Sequence, residues 1–190
     1  MMAKKINSRV YTIKITLSGI KPPIWRRIIV PDSTTLGQLH ECIQASMGWF
    51  DGHLHEFEIR GKSYGPSAEI DEWLDTLSEE EVLLRSIFNK GIKKFRYVYD
   101  FGDNWQHNIQ IEKSEPMDPD FPLPKLVTGR RSCPPEDIGG TWGYAEFLEA
   151  LKNPDFPHRE NFLEMAEEDF DPDFFNHAKA VKRLSGCLTN

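Results

Sequence analysis

The chain has 190 residues, of which 39% are hydrophobic and 28% are charged, and its formal net charge is -7 at pH 7. This composition is typical of a folded globular protein and excludes a disordered or fibrous chain, so we expect a single domain over residues 1–190. The net acidity opposes a phosphate backbone, which disfavours duplex DNA as a partner of this domain alone.

The chain also lacks signals for membranes, secretion and structural metals. No stretch approaches the roughly 20 apolar residues of a membrane span, and the basic first ten residues are not followed by the apolar run of a secretory signal. We therefore expect a cytoplasmic protein with no membrane partner. The cysteines (Cys42, Cys133 and Cys187) are far apart and lack paired spacing. This pattern predicts reduced thiols, no tightly held structural zinc and no cofactor.

The first fifty residues predict a β-hairpin followed by a helix. Residues 10–17 alternate between apolar and polar side chains, and a β-branched run over 24–30 follows the turn residues SGIKPP. Thr35 and Gln38 have the spacing of a capping box, and Gly48 stands where a left-handed C-cap belongs. The buried stripe of this helix is predicted to consist of Leu36, Leu39, Ile43 and Met47.

The middle of the chain predicts three more strands. The segment HLHEFEI alternates with a period of two, which places His53 and His55 on the same face of a strand. A helix is predicted from the serine of LSEEEVLLRSIF onward. Two strands follow over 95–99 and 105–113, joined by the turn DFGDN, in which we expect Gly102 to adopt a positive φ.

The last third of the chain predicts a connector and then helices. Six prolines between 114 and 135 indicate an extended connector. Apolar residues at helical spacing follow GGTWG and stop at Asn153, and Asp171 is the predicted N-cap of a final helix. The predicted class is α+β, with a mixed or antiparallel, β-grasp-like sheet over about 8–113 and a helical layer over about 141–186.

The stretch YVYDFGDNWQH is the first candidate site. His53, His55 and His107 lie on apolar strand faces near the turn carboxylates Asp100 and Asp103. Hydrogen-bonded core histidines and a polar pocket are both compatible with this pattern, and a His-x-His pair with Asp103 has the residue types of a metal site. We expect the turn to be a recognition site braced by an arginine, because it carries more polar and aromatic chemistry than a hairpin turn requires.

The second candidate is the loop GRRSCPPEDIGGTWGY. It lacks the ending of a phosphate-binding P-loop, and Glu136 and Asp137 would oppose an anion. The same acids would raise the pKa of Cys133, which predicts a structural thiol rather than a nucleophile. In the segment IKPPIWRR, Trp25 with Arg26 and Arg27 could stack on nucleic acid. In an acidic chain we favour the two arginines as an internal counter-charge for Asp100, Asp103, Glu136 and Asp137.

Six segments resemble the plasmid pRiA4b ORF-3-like family in order along nearly the whole chain: GIKPPIWRRIIVP, LHECIQASMGW, HLHEFEI, YDFGDNWQH, CPPEDIGGTWGYAEFLEAL and FDPDFF. The resemblance implies membership of an essentially uncharacterised family and brings no assigned chemistry. It adds further signature-like positions to those above, among them His40, Gln44 and Trp49.

Three functions remain open at this point. The leading interpretation is a binding or interaction domain for an unknown protein or small-molecule ligand, with a groove between the YDFGDNWQH hairpin and the CPPEDIGG loop. One alternative is a metal-assisted hydrolase-like enzyme, and another is a nucleic-acid-associated accessory protein of mobile elements. The hydrolase would use His53, His55, Asp103 and His107, with Glu136 or Asp137 as base. The predicted groove residues are Trp25, Arg26, His53, His55, Tyr99, Asp100, Asp103, Trp105, His107, Glu136, Asp137 and Tyr144.

Overall fold

One sheet of eight strands and five helices make up the part of the chain that the computed structural model describes, which is residues 8–66, 76–167 and 169–188. The strands are β1 (Arg9–Leu17), β2 (Trp25–Pro31), β3 (His55–Ile59), β4 (Lys62–Gly65), β5 (Thr76–Ser78), β6 (Lys94–Tyr99), β7 (Trp105–Pro116) and β8 (Lys125–Arg130). The helices are α1 (Leu36–Met47), α2 (Leu84–Asn89), α3 (Gly140–Lys152), α4 (Arg159–Glu164) and α5 (His177–Leu184).

The sheet order is β5-β4-β3-β6-β7-β1-β2-β8. Only β4 and β5 pair in parallel among these strands, and every other neighbouring pair is antiparallel. The α+β class is therefore confirmed, with a mixed sheet. The β-grasp topology is not confirmed, because β1 lies between two antiparallel partners, β2 and β7.

The core lies on one face of the sheet, beneath α1. Alternate residues of β1 and β2 are fully buried, as the period of two predicts. Helix α1 has the predicted capping box, with the Thr35 side chain accepting from the Gln38 N–H and the Gln38 side chain accepting from the Thr35 N–H. It ends at Gly48 with φ 101°, and its predicted stripe is buried. No helix in the described ranges is long and apolar enough to cross a membrane.

The predicted connector over 114–135 is partly wrong. β7 continues to Pro116, and the proline-free stretch Lys125–Arg130 forms β8, which pairs with β2 at one edge of the sheet. An edge strand needs only a short run of free N–H groups, and the nine residues between Pro124 and Pro134 provide one.

Two predicted helix starts are also wrong. Ser78 ends strand β5, and the helix of that region begins at Leu84. The final helix begins after Asn176, whose side chain accepts from the Lys179 N–H. Asp171 instead accepts from the Asp173 N–H in a local turn, which is the common alternative use of a capping side chain.

Candidate functional site

Three loops meet beyond the ends of β3, β6 and β7, and we call this meeting point the three-loop junction. Its segments are residues 50–54, 100–104 and 134–139. The Phe50 N–H donates to Glu136 Oε1 at 2.9 Å, which joins the first segment to the third. The Gly139 N–H donates to Asp103 Oδ2 at 3.2 Å, which joins the second segment to the third. The structure thus brings the predicted hairpin and loop into direct contact.

Tyr99 and Trp49 support the junction from below. The Tyr99 hydroxyl donates to Glu136 Oε1 at 2.8 Å and accepts from the Gly52 N–H at 3.0 Å. Burial and the hydrogen bond to Glu136 raise the pKa of Tyr99, so this phenol stays protonated. Trp49 stacks on the Tyr99 ring and donates its indole N–H to the Pro134 carbonyl.

His53, Asp100 and Asp137 form a cluster at the solvent side of the junction. His53 Nε2 lies 3.1 Å from Asp137 Oδ1 and 3.8 Å from Asp100 Oδ2. Asp100 is only 8% exposed, and its Oδ1 accepts the N–H groups of Gly102 and Asp103. One ligand atom from each of the three cluster residues can be chosen so that all lie within 4.8 Å of one another.

The turn itself differs from the prediction. Asp100 and Asn104 have positive φ values of 56° and 55°, whereas Gly102 does not have a positive φ. The Asp100 side chain closes the turn by bonding to the N–H groups two and three residues ahead. No arginine of the described residues makes a hydrogen bond or ion pair to the turn, so the predicted arginine brace is wrong.

His53 and His55 do not share a strand face, which corrects the His-x-His prediction. β3 begins at His55, so His53 belongs to the preceding loop and points to a different cluster. His55 is buried, and its Nε2 lies 2.9 Å from Glu79 Oε2. Its ring stacks on His40 with centroids 3.5 Å apart.

His40 completes a buried hydrogen-bond network beside His55. Gln44 Nε2 donates to the Tyr97 hydroxyl, which leaves that hydroxyl free to donate to His40 Nδ1 at 2.7 Å. The other ring nitrogen of His40, Nε2, lies 2.8 Å from Asp51 Oδ1. This network assigns the neutral tautomer with the proton on Nε2. Burial lowers the pKa of His40 to about 3, which agrees with a neutral ring.

His107, Trp105 and Tyr144 are core residues. His107 is fully buried against the rings of Trp49 and Tyr97, and neither of its nitrogens has a hydrogen bond of regular geometry in the described chain. Burial lowers its pKa to about 3. The four residues of the predicted hydrolase site are therefore not brought together, and neither metal-competent cluster in the described ranges contains Asp103 or His107.

Arg26 is buried but does not neutralise the predicted carboxylates. It is 2% exposed, and it donates to the backbone carbonyls of Ser46, Trp25 and Arg130. The Phe175 ring covers its guanidinium at 4.2 Å. No carboxylate of residues 8–66, 76–167 or 169–188 forms an ion pair with it, and Arg27 pairs with Glu112 instead, so the counter-charge prediction is wrong.

A cavity of about 220 Å³ lies on the far side of the CPPEDIGG loop. It is lined by the end of α1, by residues 132–136 and by the C-terminal segment from Met165 onward, and it opens to solvent on one side. Arg26 and Glu136 are the predicted site residues in its wall. Cys133 is also in the wall. Burial raises the pKa of its thiol to about 12, which supports the predicted structural role.

Comparison with known proteins identifies the family. A family model described as plasmid pRiA4b ORF-3-like protein matches residues 9–179. The chain belongs to this family. The uncharacterized protein y4hQ of Sinorhizobium fredii (strain NBRC 101917 / NGR234) is 40% identical over 179 residues, which cover 92% of this chain and 90% of that protein. The crystal structure of MM3350, a protein of unknown function from Methanosarcina mazei Go1, is 39% identical with a TM-score of 0.82, covering 90% of this chain and 97% of that one.

The predicted groove residues of this family member fall into several places. The junction holds His53, Tyr99, Asp100, Asp103, Glu136 and Asp137. His55 and the core residues lie beneath it, while Trp25 is on the opposite face of the sheet, where Lys14 and Arg27 lie over its ring. The prediction missed Asp51 and Glu79, and it had His40 only through the family resemblance. No periodic pattern in the sequence links these three residues, because they come into contact only when α1 packs on the sheet. Sequence reasoning therefore had no signal for grouping them.

Proposed function

We propose that this chain is a binding domain for a small organic anion, which Arg26 holds in the cavity. The observation that carries the proposal is a buried positive charge with no carboxylate partner in the described chain. Its Nε and Nη1 bond to backbone carbonyls, whereas Nη2 makes no hydrogen bond with the described residues. A buried charge is costly unless an opposite charge compensates it, and a ligand carboxylate would do so.

The other charged residues of the cavity wall are placed so that a ligand would bind with its anionic group toward Arg26, at the inner end of the cavity. The carboxylates of Glu167, Asp169 and Asp171 belong to exposed residues of the wall, and Glu167 is paired with Lys179. Glu136 Oε1 already accepts from Tyr99 and Phe50. Arg26 is therefore the charged group of the wall that is most withdrawn from solvent, and the acids lie nearer the mouth.

The remaining wall favours an apolar ligand body of modest size. Aromatic residues contribute a large part of it, namely Trp49, Phe50, Phe170, Phe174 and Phe175. A volume of about 220 Å³ is below the range of about 300–1,000 Å³ that is usual for drug-sized ligands. These features support a monocarboxylate with a single ring or a short aliphatic chain.

The test compares phenylacetate with its neutral analogue phenylacetamide by isothermal titration calorimetry. We expect phenylacetate to bind with a dissociation constant of about 1 mM or tighter and phenylacetamide at least tenfold more weakly. The Arg26→Gln variant should lose the preference for the carboxylate. Arg27→Gln is the matched control, because Arg27 pairs with Glu112 on the opposite face of the sheet.

A second variant keeps the test valid if Arg26→Gln does not fold. Phe174 is 57% exposed, so Phe174→Ala should preserve the fold, yet it removes part of the cavity wall. We expect several-fold weaker phenylacetate binding by Phe174→Ala. Equal affinity for the acid and the amide, or no binding of phenylacetate at several times the expected dissociation constant, would contradict the proposal.

A further inference from the structure

We infer that His53, Asp100 and Asp137 bind a divalent first-row transition-metal ion of the Mn²⁺ type. The three residues come from the three separate segments of the junction, one from each, so the site exists only in the folded chain. It is distinct from the cavity around Arg26, because none of its residues lines that cavity.

The geometry is close to that of a coordination sphere. Ligand atoms bound to one ion at about 2.1 Å lie roughly 3.0 to 3.4 Å apart. His53 Nε2 and Asp137 Oδ1 are 3.1 Å apart, and Asp100 Oδ2 is 3.8 Å from the same nitrogen. All three ligand atoms lie within 4.8 Å of one another, so side-chain shifts on the order of 1 Å would bring the set to coordination distances.

Asp100 gives an independent reason to expect a cation. Its side chain is largely withdrawn from solvent, with an exposed fraction of 11%. Its Oδ1 is satisfied by two backbone N–H groups, but its Oδ2 makes no hydrogen bond with the described residues and faces His53. Oriented carboxylates of this kind are typical metal ligands, because the second oxygen holds the side chain in position.

The neighbouring cluster of His40, Asp51 and His55 is the weaker candidate. Both ring nitrogens of His40 already have hydrogen-bond partners, and His55 Nε2 is paired with Glu79. A metal there would have to replace these contacts. In the His53 cluster, a metal ion would replace only the contact between His53 and Asp137. The solvent side of this cluster is open, because the Asp137 side chain is 70% exposed.

The ligand set indicates which ions fit. One imidazole nitrogen and two carboxylate oxygens combine the preferences of Mn²⁺, Fe²⁺ and Zn²⁺, whereas Mg²⁺ and Ca²⁺ favour all-oxygen sites. Three protein ligands leave coordination positions for water or for a ligand on the open side. The site would therefore hold an exchangeable ion, unlike a closed structural zinc site.

The experiment is a titration of untagged, chelator-treated protein with Mn²⁺, followed by electron paramagnetic resonance of the free ion and by water-proton relaxation. We expect one equivalent to bind with a dissociation constant of about 100 µM or tighter and to enhance relaxation through bound water. His53→Gln and Asp137→Asn, both at partly or largely exposed side chains, should weaken binding at least tenfold.

Two control variants make the result specific. Asp51→Asn alters the neighbouring cluster and should leave Mn²⁺ affinity unchanged, which separates the two sites. Arg27→Gln, on the opposite face of the sheet, should also leave it unchanged. The titration contains no phenylacetate, so failure of the cavity proposal and failure of the metal site are distinguishable. Unaltered affinity in both His53→Gln and Asp137→Asn, or no bound Mn²⁺ at about 1 mM, would overturn the inference.

Discussion

His107 and His40 are neutral in the core for different reasons. His40 has a partner at each ring nitrogen, whereas no ring nitrogen of His107 makes a hydrogen bond of regular geometry with the described residues, and its ring packs against Trp49 and Tyr97. Burial lowers both pKa values to about 3, from about 6.5 in an unfolded chain. Because the folded-state pKa lies below the unfolded value, the contribution of these two histidines to stability is fully present above about pH 6.5. Stability is then lost as the pH falls from 6.5 toward 3, because the unfolded chain binds the protons.

We predict that this acid sensitivity is roughly halved in His107→Leu. Each histidine contributes about 1.4 kcal/mol per pH unit to the slope of the unfolding free energy below about pH 6. Leucine has a similar volume and no polar atom to leave unpaired, so stability at pH 8 should be unchanged or higher. Urea melts between pH 8 and pH 5 measure the slope.

The exposed His177 provides the control for this prediction. His177→Gln should leave the slope as in the wild type, because the residue lies at the exposed start of α5. The prediction is contradicted if the wild type and His107→Leu lose stability in parallel as the pH falls.

The two aspartates of the turn have different tasks. Asp100 bonds to two N–H groups of its own turn and has φ 56°, a value that aspartate tolerates better than alanine does. Asp103 makes one bond across the junction, to the Gly139 N–H. We predict that Asp100→Ala lowers the unfolding free energy by about 2 kcal/mol or more, and Asp103→Ala by about 1 kcal/mol.

Asp103→Asn should change stability by less than about 0.5 kcal/mol, since an amide oxygen can still accept from Gly139. Denaturant melts of the three variants test this order. The functional role that the sequence suggested for Asp103 would lose its support if Asp103→Asn were as destabilising as Asp100→Ala.

At the scale of elements, α3 is held by an unusually close backbone contact. A Cβ atom on Gly143 would lie 1.7 Å from the Ile138 carbonyl oxygen, and one on Gly140 would lie 2.4 Å from the Asp103 carbonyl oxygen. The glycines of GGTWG therefore allow the helix to approach the loop and the turn. They serve packing, which agrees with the sequence-based rejection of a phosphate loop.

We predict that Gly143→Ala lowers the unfolding free energy by at least about 2 kcal/mol. Helix propensity alone would predict the opposite result, a rise of the unfolding free energy by up to about 1 kcal/mol. Glu146→Ala, at an exposed position of the same helix, is the control and should be nearly neutral. Thermal and urea melts distinguish the two effects, and a stabilised Gly143→Ala protein would show that the close contact relaxes freely.

Elements with strong local signals were predictable, and those that depend on distant contacts were not. The capping box of Thr35 and Gln38 and the alternation of β1 are local patterns, and both are confirmed. β8 was missed because its stability comes from pairing with β2, about 100 residues earlier in the chain. The start of α5 was misplaced because Asp171 and Asn176 are both good caps, and the choice between them depends on packing against the rest of the fold.

At the scale of the whole molecule, the grouping of the site residues also depends on distant contacts that the sequence does not reveal. The sequence identified His53, Asp100 and Asp137 as candidates by their chemistry, and the structure brings them together. Their grouping could not be predicted, because it requires three loops separated by about forty residues each. Whether His53 and His55 lie on the same strand face depends on the residue at which β3 begins, and β3 begins at His55.

We predict weak binding of duplex DNA by the whole chain, because its net charge is -7. Trp25 with Lys14 and Arg27 is a small basic and aromatic patch on the open face, and Arg27 is already paired with Glu112. A mixed-sequence duplex at about 0.15 M salt should bind no tighter than about 10 µM in fluorescence anisotropy. Submicromolar binding that Trp25→Ala or Arg27→Gln weakens would favour the nucleic-acid alternative.

The central place of β1 has a consequence for synthesis of the chain on the ribosome. β1 can pair with β2 as soon as residues 9–31 have emerged, but its other edge belongs to β7, which begins at Trp105. At about 5–20 residues per second, some 75 residues must be added before that edge is covered. An unpaired apolar strand edge is a template for association with other chains. Truncated chains that end before β7 should therefore be far more prone to aggregation than chains shortened within the C-terminal helices.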